Sequence, residues 1–363
     1  MTLADRPCNI QRLRSYKKSV FRGDAALTNL VRALICFIIF LPGGVSIFAQ
    51  SYSSISILLN QRNYADAESL LVRRIRANPN DDSAHYYLGQ IPVRSRAVDR
   101  YDEAIEHFKK CVELKPTSSY YQLWLGRGFG VKAQNAGVFS AVGYVGDIKA
   151  AFQKAVELDS SNFDARYDLI QFYLQAPGIF GGSVSKAKVV AESYAGLNPH
   201  ATPILRAAVE IYEEEFAEAL ATILAMTEPA DTIILGYYRS TITSIGFALL
   251  NDKQPQKAEA IFAKFTAQFP ALAVGYHGMG RSRLDQGRVD EAISYFGKAL
   301  QIDSTVGSQY RLGIAYEKKG DFEMAMKSLE EFLALTTPRD KKSVEDAKDR
   351  LEELKKKKAS SSK

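Results

Sequence analysis

The 363-residue sequence predicts an all-α solenoid of about eight stacked helix–turn–helix units with a closing helix at its carboxyl end. Three observations carry that prediction. The carboxyl-terminal third repeats at a 33–34-residue period: with Gly275–Ser304 set under Gly307–Pro338, Gly280 falls under Gly313, Gly287 under Gly320, Ala292 under Ala325, Phe296 under Leu329 and Ala299 under Phe332. Within a period, apolar residues recur at i, i+3, i+4 and i+7 in two runs separated by a turn signal, the spacing of two amphipathic helices. Small residues return at fixed places in each period, as Ala258 does 34 residues before Ala292. Paired helices at this period imply a stacked array that buries its core between neighbours, and such an array offers a long surface rather than a catalytic pocket.

Residues 1–49 stand outside the repeat. Arg6, Arg12, Arg14, Lys17, Lys18 and Arg22 form a basic stretch, Ala33–Leu41 an apolar run, Pro42-Gly43-Gly44 a breaker, and Val45–Ala49 a short exit. That order is the order of a secretory signal peptide and predicts cleavage after Ala49, with Gln50 as the new terminus. A retained anchor fits less well, because Arg32 and the Pro-Gly-Gly break leave too short a run to span a bilayer. Cys36 lies inside the apolar run rather than after it, which argues against a lipoprotein. The expectation is an exported, periplasmic or secreted protein that meets a membrane only through an uncleaved leader. The leader holds seven of the 47 Lys and Arg and two of the 41 Asp and Glu, so without it the formal charge falls from +6 to +1. A nearly neutral remainder gives no basis for nucleic-acid binding. Cys8 and Cys36 would leave with the leader, and Cys111 remains alone at a core position, predicted to be an inert buried thiol.

The solenoid is expected over residues 50–338, irregular over 120–230 and regular over 238–338. Its clearest unit has a first stripe of Tyr276, Met279, Gly280 and Arg283, a stop at Asp285-Gln286-Gly287, and a second stripe of Val289, Ala292, Ile293, Phe296, Ala299 and Leu300. Each helix would be roughly 20 Å long, and a turn of a few residues makes the two antiparallel. Gly280 and Ala292 are expected to face each other, with Phe296 filling the wider gap. In chain order, Tyr64, Ala67, Leu71 and Pro79 give the second helix of the first unit. Leu88, Gly89, Tyr101, Ala104, Phe108 and Pro116 give the second unit, stretched after Gln90. Leu125, Gly126 and Phe129 open the third, whose partner with Phe152 and Ala155 arrives about ten residues late across Asn135–Asp147. Leu169 and Tyr173 open the fourth, closed by Ala187 and Pro199 after the insert Gln175–Ser183. Ala201–Pro229, with Tyr212, Phe216 and Ala219, is a degenerate fifth unit. Gly246, Leu249, Ala258, Phe262 and Pro270 make the sixth, and Tyr310, Leu312, Gly313, Tyr316, Gly320, Phe322, Ala325 and Pro338 the eighth.

These positions resemble the tetratricopeptide repeat, which sets Trp or Tyr, Leu, Gly and Tyr on its first helix and Gly, an aromatic, Ala, Phe, Ala and Pro on its second. The resemblance covers roughly Ser51 to Pro338 and implies a right-handed superhelix whose first helices line a concave groove. The late partner of the third unit and the insert of the fourth resemble a group of exported bacterial repeat proteins, with no activity implied. Residues 339–363 read as a cap: Val344, Ala347, Leu351 and Leu354 make one apolar stripe on a charged helix, and a Lys/Ser tail follows.

Catalytic chemistry is not evident. The four histidines, His85, His107, His200 and His277, show no metal-ligand spacing, and His107 sits in a charged run predicted to be solvated. Gly178–Ser183 lacks the Lys-Ser/Thr of a phosphate loop and reads as a turn with Ser183 capping the next helix. No nucleophile elbow occurs, Glu213–Glu215 reads as an interhelix turn, and many of the 19 Tyr and 19 Phe occupy packing positions. No cofactor, metal or catalytic residue is expected. The resemblance implies instead that Tyr86, Gln90, Arg94, Arg127, Tyr167, Gln171, His277, Arg281 and Tyr310 line the groove and bind a protein partner, as a peptide or an amphipathic helix. The Lys/Asn set with which some family members clamp a carboxyl terminus is not evident. The expected function is therefore a non-catalytic scaffold or adaptor. The alternative is a glycan or small-molecule site, or a weak enzymatic one, built by the inserts 135–147 and 175–183.

Overall fold

The structure is a computed structural model that describes residues 52–303, 306–334 and 341–361, so the expected leader lies outside the described residues. The chain divides after Ser54, and Ile55–Lys363 forms one unit. Among the described residues there are seventeen α-helices, two short 3-10 turns and no strand. The described chain opens with α1 (Tyr52–Asn60) and α2 (Tyr64–Ala77), and the helices that follow pair in sequence: α3 (Asp82–Ser95) with α4 (Tyr101–Leu114), α5 (Ser119–Asn135) with α6 (Val138–Leu158), and α7 (Phe163–Gln175) with α8 (Val184–Glu192). Then come α9 (Thr202–Tyr212) with α10 (Phe216–Leu224), α11 (Thr232–Asn251) with α12 (Pro255–Gln268), α13 (Ala273–Asp285) with α14 (Val289–Ile302), and α15 (Val306–Lys319) with α16 (Phe322–Ala334). The last helix, α17 (Lys341–Ser361), packs on α16 with Ala347 and Leu354 fully buried, the cap that the stripe predicts. Each second helix also packs on the first helix of the following pair. This is the eight-unit α-solenoid.

Local chemistry starts the first helices. Asp81, Ser118, Asn162 and Asp231 accept hydrogen bonds from the backbone N–H of Ala84, Tyr121, Ala165 and Ile234, satisfying donors that the first turn leaves open. The turns inside the pairs share another device, a residue in the left-handed region. Arg62, Arg96, Glu214 and Lys253 hold φ of 59°, 56°, 62° and 57°, and Gly287 and Gly320 hold 78° and 84°. Only two of these six turns have the glycine that adopts this conformation without strain. Lys253→Gly is therefore expected to stabilise the protein by up to about 1 kcal/mol, and Gly287→Ala to destabilise it by about as much. Urea midpoints of the two variants check this, and shifts in the opposite directions would reject it.

The close approach within pairs centres on an aromatic ring. A Cβ on Gly280 would lie 2.6 Å from the Phe296 ring, so the first helix rests on the aromatic face itself. The same contact repeats as Gly89 on Phe108, Gly126 on Phe152 and Gly246 on Phe262, at 2.6, 2.5 and 2.6 Å. Some rings serve two neighbours. A Cβ on Gly278 would lie 2.3 Å from Phe262, so Gly246 of its own pair and Gly278 of the next clasp that ring from both sides. Arg283, counted in the apolar stripe, instead pairs with Glu259 of α12 at 2.7 Å.

The stretched units have distinct causes. After Gln90, Pro92 lies inside α3 and the extra residues end in a 3-10 turn, Val98–Arg100. The late partner of the third unit is a longer helix: α6 has 21 residues where α4 and α14 have 14. Most of segment 135–147 is thus the amino-terminal part of α6. The fourth unit's insert is a 3-10 turn, Gly178–Phe180, then Gly181 at φ 95° and Gly182, whose Cβ would lie 1.7 Å from the Ala176 carbonyl oxygen. Ser183 then caps α8 by accepting from Lys186 N–H, as expected. The fifth pair is the shortest, with helices of 11 and 9 residues, and its Tyr212 is exposed rather than packed. Helix α11 is long and apolar enough to cross a membrane, but Tyr238, Ile242, Ile245, Gly246 and Leu249 bury one of its faces inside the array.

Candidate functional site

The first helices touch one another in a row: α3 with α5, α5 with α7, α7 with α9, α9 with α11, α11 with α13 and α13 with α15. The expected site residues all come from these helices, yet their surroundings differ along the row.

At the amino-terminal end several polar groups pair with one another, while Gln90 Oε1 and Trp124 Nε1 are buried without a hydrogen-bond partner among the described residues. Tyr86 is 8% exposed and hydrogen-bonds the Tyr120 hydroxyl, while Gln90, 1% exposed, donates to Tyr86. Trp124 closes the cluster edge-on to Tyr86, with centroids 5.6 Å apart. Gln90 therefore supports Tyr86 and has no surface to offer. Arg94 is exposed and reaches Asn60 at 3.5 Å.

The middle of the row is knitted by charge. Arg127 Nε donates to Asp168 at 2.6 Å, its Nη2 lies 3.4 Å from Asp164, and its guanidinium sits 5.1 Å from the Trp124 ring centroid. The Tyr237 hydroxyl, from α11, donates to Asp164, and its ring packs against Tyr167 and Phe163 at 4.6 and 4.8 Å. Burial works against the Arg127 charge, but Asp168, Tyr237 and Asp164 outweigh it and its pKa rises. Burial raises the pKa of Asp168, and Arg127 offsets part of that rise. Arg127 and Tyr167 are thus held by protein partners. A cavity of about 650 Å³ beside them is lined by Val145 and Ile148 of α6 and by Gln175, Ala176 and Pro177, so both stretched segments reach it. Two of its polar pairs are internally matched, Arg127 with Asp168 and Gln175 with Gln171 at 2.9 Å.

The carboxyl-terminal part is more open. His277 and Arg281 line a cavity of about 810 Å³ with Phe247, Leu272, Val274, Ile302 and Gly307. The His277 Nδ1 hydrogen-bonds Ser308 Oγ at 2.9 Å, and its ring lies between Phe247 and Phe296 at 5.9 and 5.7 Å. Burial, Arg281 and Arg311 push its pKa down to about 3. The folded chain therefore refuses a proton that the unfolded chain accepts below about pH 6.5. Stability attributable to His277 is complete above that pH and declines as pH falls towards 3, by at most about 1.4 kcal/mol per pH unit. His277→Gln should flatten the dependence of the urea midpoint on pH between these limits; an unchanged slope would exclude His277 as a source. Tyr310 donates to Asp346 of α17 at 2.6 Å and packs on Phe332, so it belongs to the cap.

Two further side chains differ from their sequence reading or refine it. His107 is not solvated: its Nδ1 lies 3.0 Å from His85 Nδ1, and His85 Nε2 lies 3.0 Å from the Pro79 carbonyl oxygen. Burial and His85 lower the His107 pKa. Cys111 is fully buried, donates to the Asp82 carbonyl at 3.3 Å, and has its pKa pushed up to about 12, chiefly by burial. Among the described residues no group of three or more His, Cys, Asp or Glu is arranged to hold a metal.

The sequence reading missed Phe247, Val274, Trp124, Asp164, Asp168 and Tyr237. One signal was available. Phe247 follows Gly246 directly, as Gln90 follows Gly89, Arg127 follows Gly126 and Arg281 follows Gly280. The carboxylates and Tyr237 follow no such rule.

The tetratricopeptide repeat family model matches residues 54–119 and 277–340. No curated protein sequence matches the chain. Among solved structures, yeast Tom70 superposes with a TM-score of 0.60 at 16% identity, covering 82% of this chain and 60% of that one. The chain thus spans about 60% of Tom70's length. A tetratricopeptide repeat protein from Parabacteroides merdae matches with a TM-score of 0.44 at 12% identity, covering 84% of this chain and 96% of that one. At such identities the likeness speaks to the fold alone.

Proposed function

We propose, from the premise that this chain is a tetratricopeptide repeat protein, that it is a non-catalytic scaffold holding a segment of another protein against its row of first helices. The observation that carries the reading is the open carboxyl-terminal part of that row. There Val274, 38% exposed, stands beside Phe247, His277 and Arg281 along a cavity of about 810 Å³. Apolar side chains exposed beside an arginine are what an interface needs for anchoring. The matched pairs of the middle cavity leave less for a glycan or small molecule to satisfy, so that alternative has weaker support.

A photo-crosslinking residue placed at Val274 is expected to capture a discrete partner from the native envelope fraction. The same residue at Lys298, exposed on the second helix α14, is expected to capture none. Capture from Lys298 alone, or equal capture from both, would remove the first-helix surface as the binding face. The reading includes export, with the leader cleaved after Ala49. A mature protein whose measured mass begins at Gln50 is the expected result, and an intact leader would replace export with membrane tethering.

A further inference from the structure

Arg281 of α13 is half-buried, with its guanidinium 5.5 Å from the Phe247 ring centroid and a weak 3.4 Å hydrogen bond to Asn251. Arg311, on the neighbouring first helix α15, lies near enough to add its positive field to both Arg281 and His277. Among the described residues neither arginine has a carboxylate within ion-pair distance. Asp285, exposed at the end of α13, favours the Arg281 charge from further away, Asp346 of α17 feels the Arg311 charge from beyond ion-pair distance, and Asp303 stands exposed at the cavity rim. His277 is neutral and supplies no compensation. Arg127, by contrast, is matched by Asp164 and Asp168. Beside Arg281 the cavity exposes aliphatic surface, with Val274 38% and Ile302 41% exposed.

Two like charges held together in partly desolvated surroundings favour an anion between them, and the adjoining aliphatic wall favours an apolar group. We propose that the cavity bordered by α11, α13 and Ile302 of α14 receives an acidic side chain flanked by an apolar one, from an extended segment of the partner protein. The carboxylate is bound by Arg281 and Arg311, and the apolar side chain rests on Phe247, Val274 and Ile302. This rests on the scaffold reading and adds the chemistry of its partner. A nucleic-acid phosphate would satisfy the arginines but leave the aliphatic wall unmatched.

The test uses the purified protein and a fluorescein-labelled peptide carrying Asp-Leu-Asp-Ile between Gly-Ser spacers, with an Asn-Leu-Asn-Ile counterpart, read by fluorescence anisotropy. The acidic peptide is expected to bind at least about tenfold tighter than its amide counterpart, as a charge-assisted pair requires. Added salt should weaken it. Arg281→Ala should remove most of that preference, while Val274→Ser should weaken both peptides and Lys298→Ala neither. Circular dichroism confirms that each variant is folded. Equal affinity for the two peptides, a preference that survives in both Arg281→Ala and Arg311→Ala, or equally tight binding of an oligothymidylate would overturn the proposal. If Val274 crosslinks a partner while the peptides are not distinguished, only this chemistry falls. If the crosslink fails as well, the scaffold reading falls with it.

Discussion

Phe262→Ala is expected to destabilise the protein by about 3–5 kcal/mol, the cost of emptying a fully buried aromatic site that cannot collapse. Phe262 is 0% exposed and held between Gly246 and Gly278, so removing the ring leaves two helix backbones facing a void. Neither glycine has a side chain that can move in. The ring joins the sixth pair to the seventh, and a solenoid transmits stability only through neighbouring interfaces. The variant should therefore lose cooperativity as well as stability. Trp124, the sole tryptophan, sits in α5 and reports the amino-terminal pairs, whereas circular dichroism reports every helix. Their urea transitions should separate in the variant. Phe322→Ala, at a side chain 40% exposed, should shift either midpoint far less. Coincident, unshifted transitions in Phe262→Ala would show that the ring does not couple the pairs.

Arg127→Ala is expected to cost about 2–4 kcal/mol at neutral pH, somewhat less than breaking a fully buried pair. The side chains of Arg127, Asp164 and Asp168 are 26%, 25% and 18% exposed, so the loss leaves two carboxylates poorly hydrated and facing each other. Adding Asp168→Asn to the variant should recover part of the stability by removing one of these charges. If Arg127→Ala keeps the parental urea midpoint, or if the second substitution makes matters worse, the network does not stabilise the fold. The result also governs the choice of binding mutants. Loss of partner capture in an Arg127 variant cannot be separated from loss of structure, whereas Arg281 has no ion pair to break.

The fold was legible because its determinants are local and periodic. Gly246, Gly280 and Gly313 mark first helices, Ala258, Ala292 and Ala325 mark second helices, and Gly287 and Gly320 mark the turns between. The turns at Arg62, Arg96, Glu214 and Lys253 carry no glycine, so their left-handed conformation had no sequence signal. The extension of α6 was visible as a gap in the period but not as helix. Gly280 was legible as a close approach, but spacing identifies the face of a helix without showing that the Phe296 ring is the nearest group to reach it. The expected site was legible as a set of helices rather than as accessible side chains. Tyr86, Gln90, Arg127, Tyr167 and Tyr310 have protein partners, and the more open stretch is the one around His277 and Arg281.

By itself the sequence determined the unit, the order of units and the capping helix, because amphipathic spacing and the alternation of small with large residues act within about 34 residues. Only the tertiary structure decided which positions of the first-helix row are free. Arg127 meets Asp164 and Asp168 across 37 and 41 residues, and Tyr237 meets Asp164 across 73. Those pairings depend on how successive pairs stack through a short fifth unit, and no periodicity in the chain encodes them.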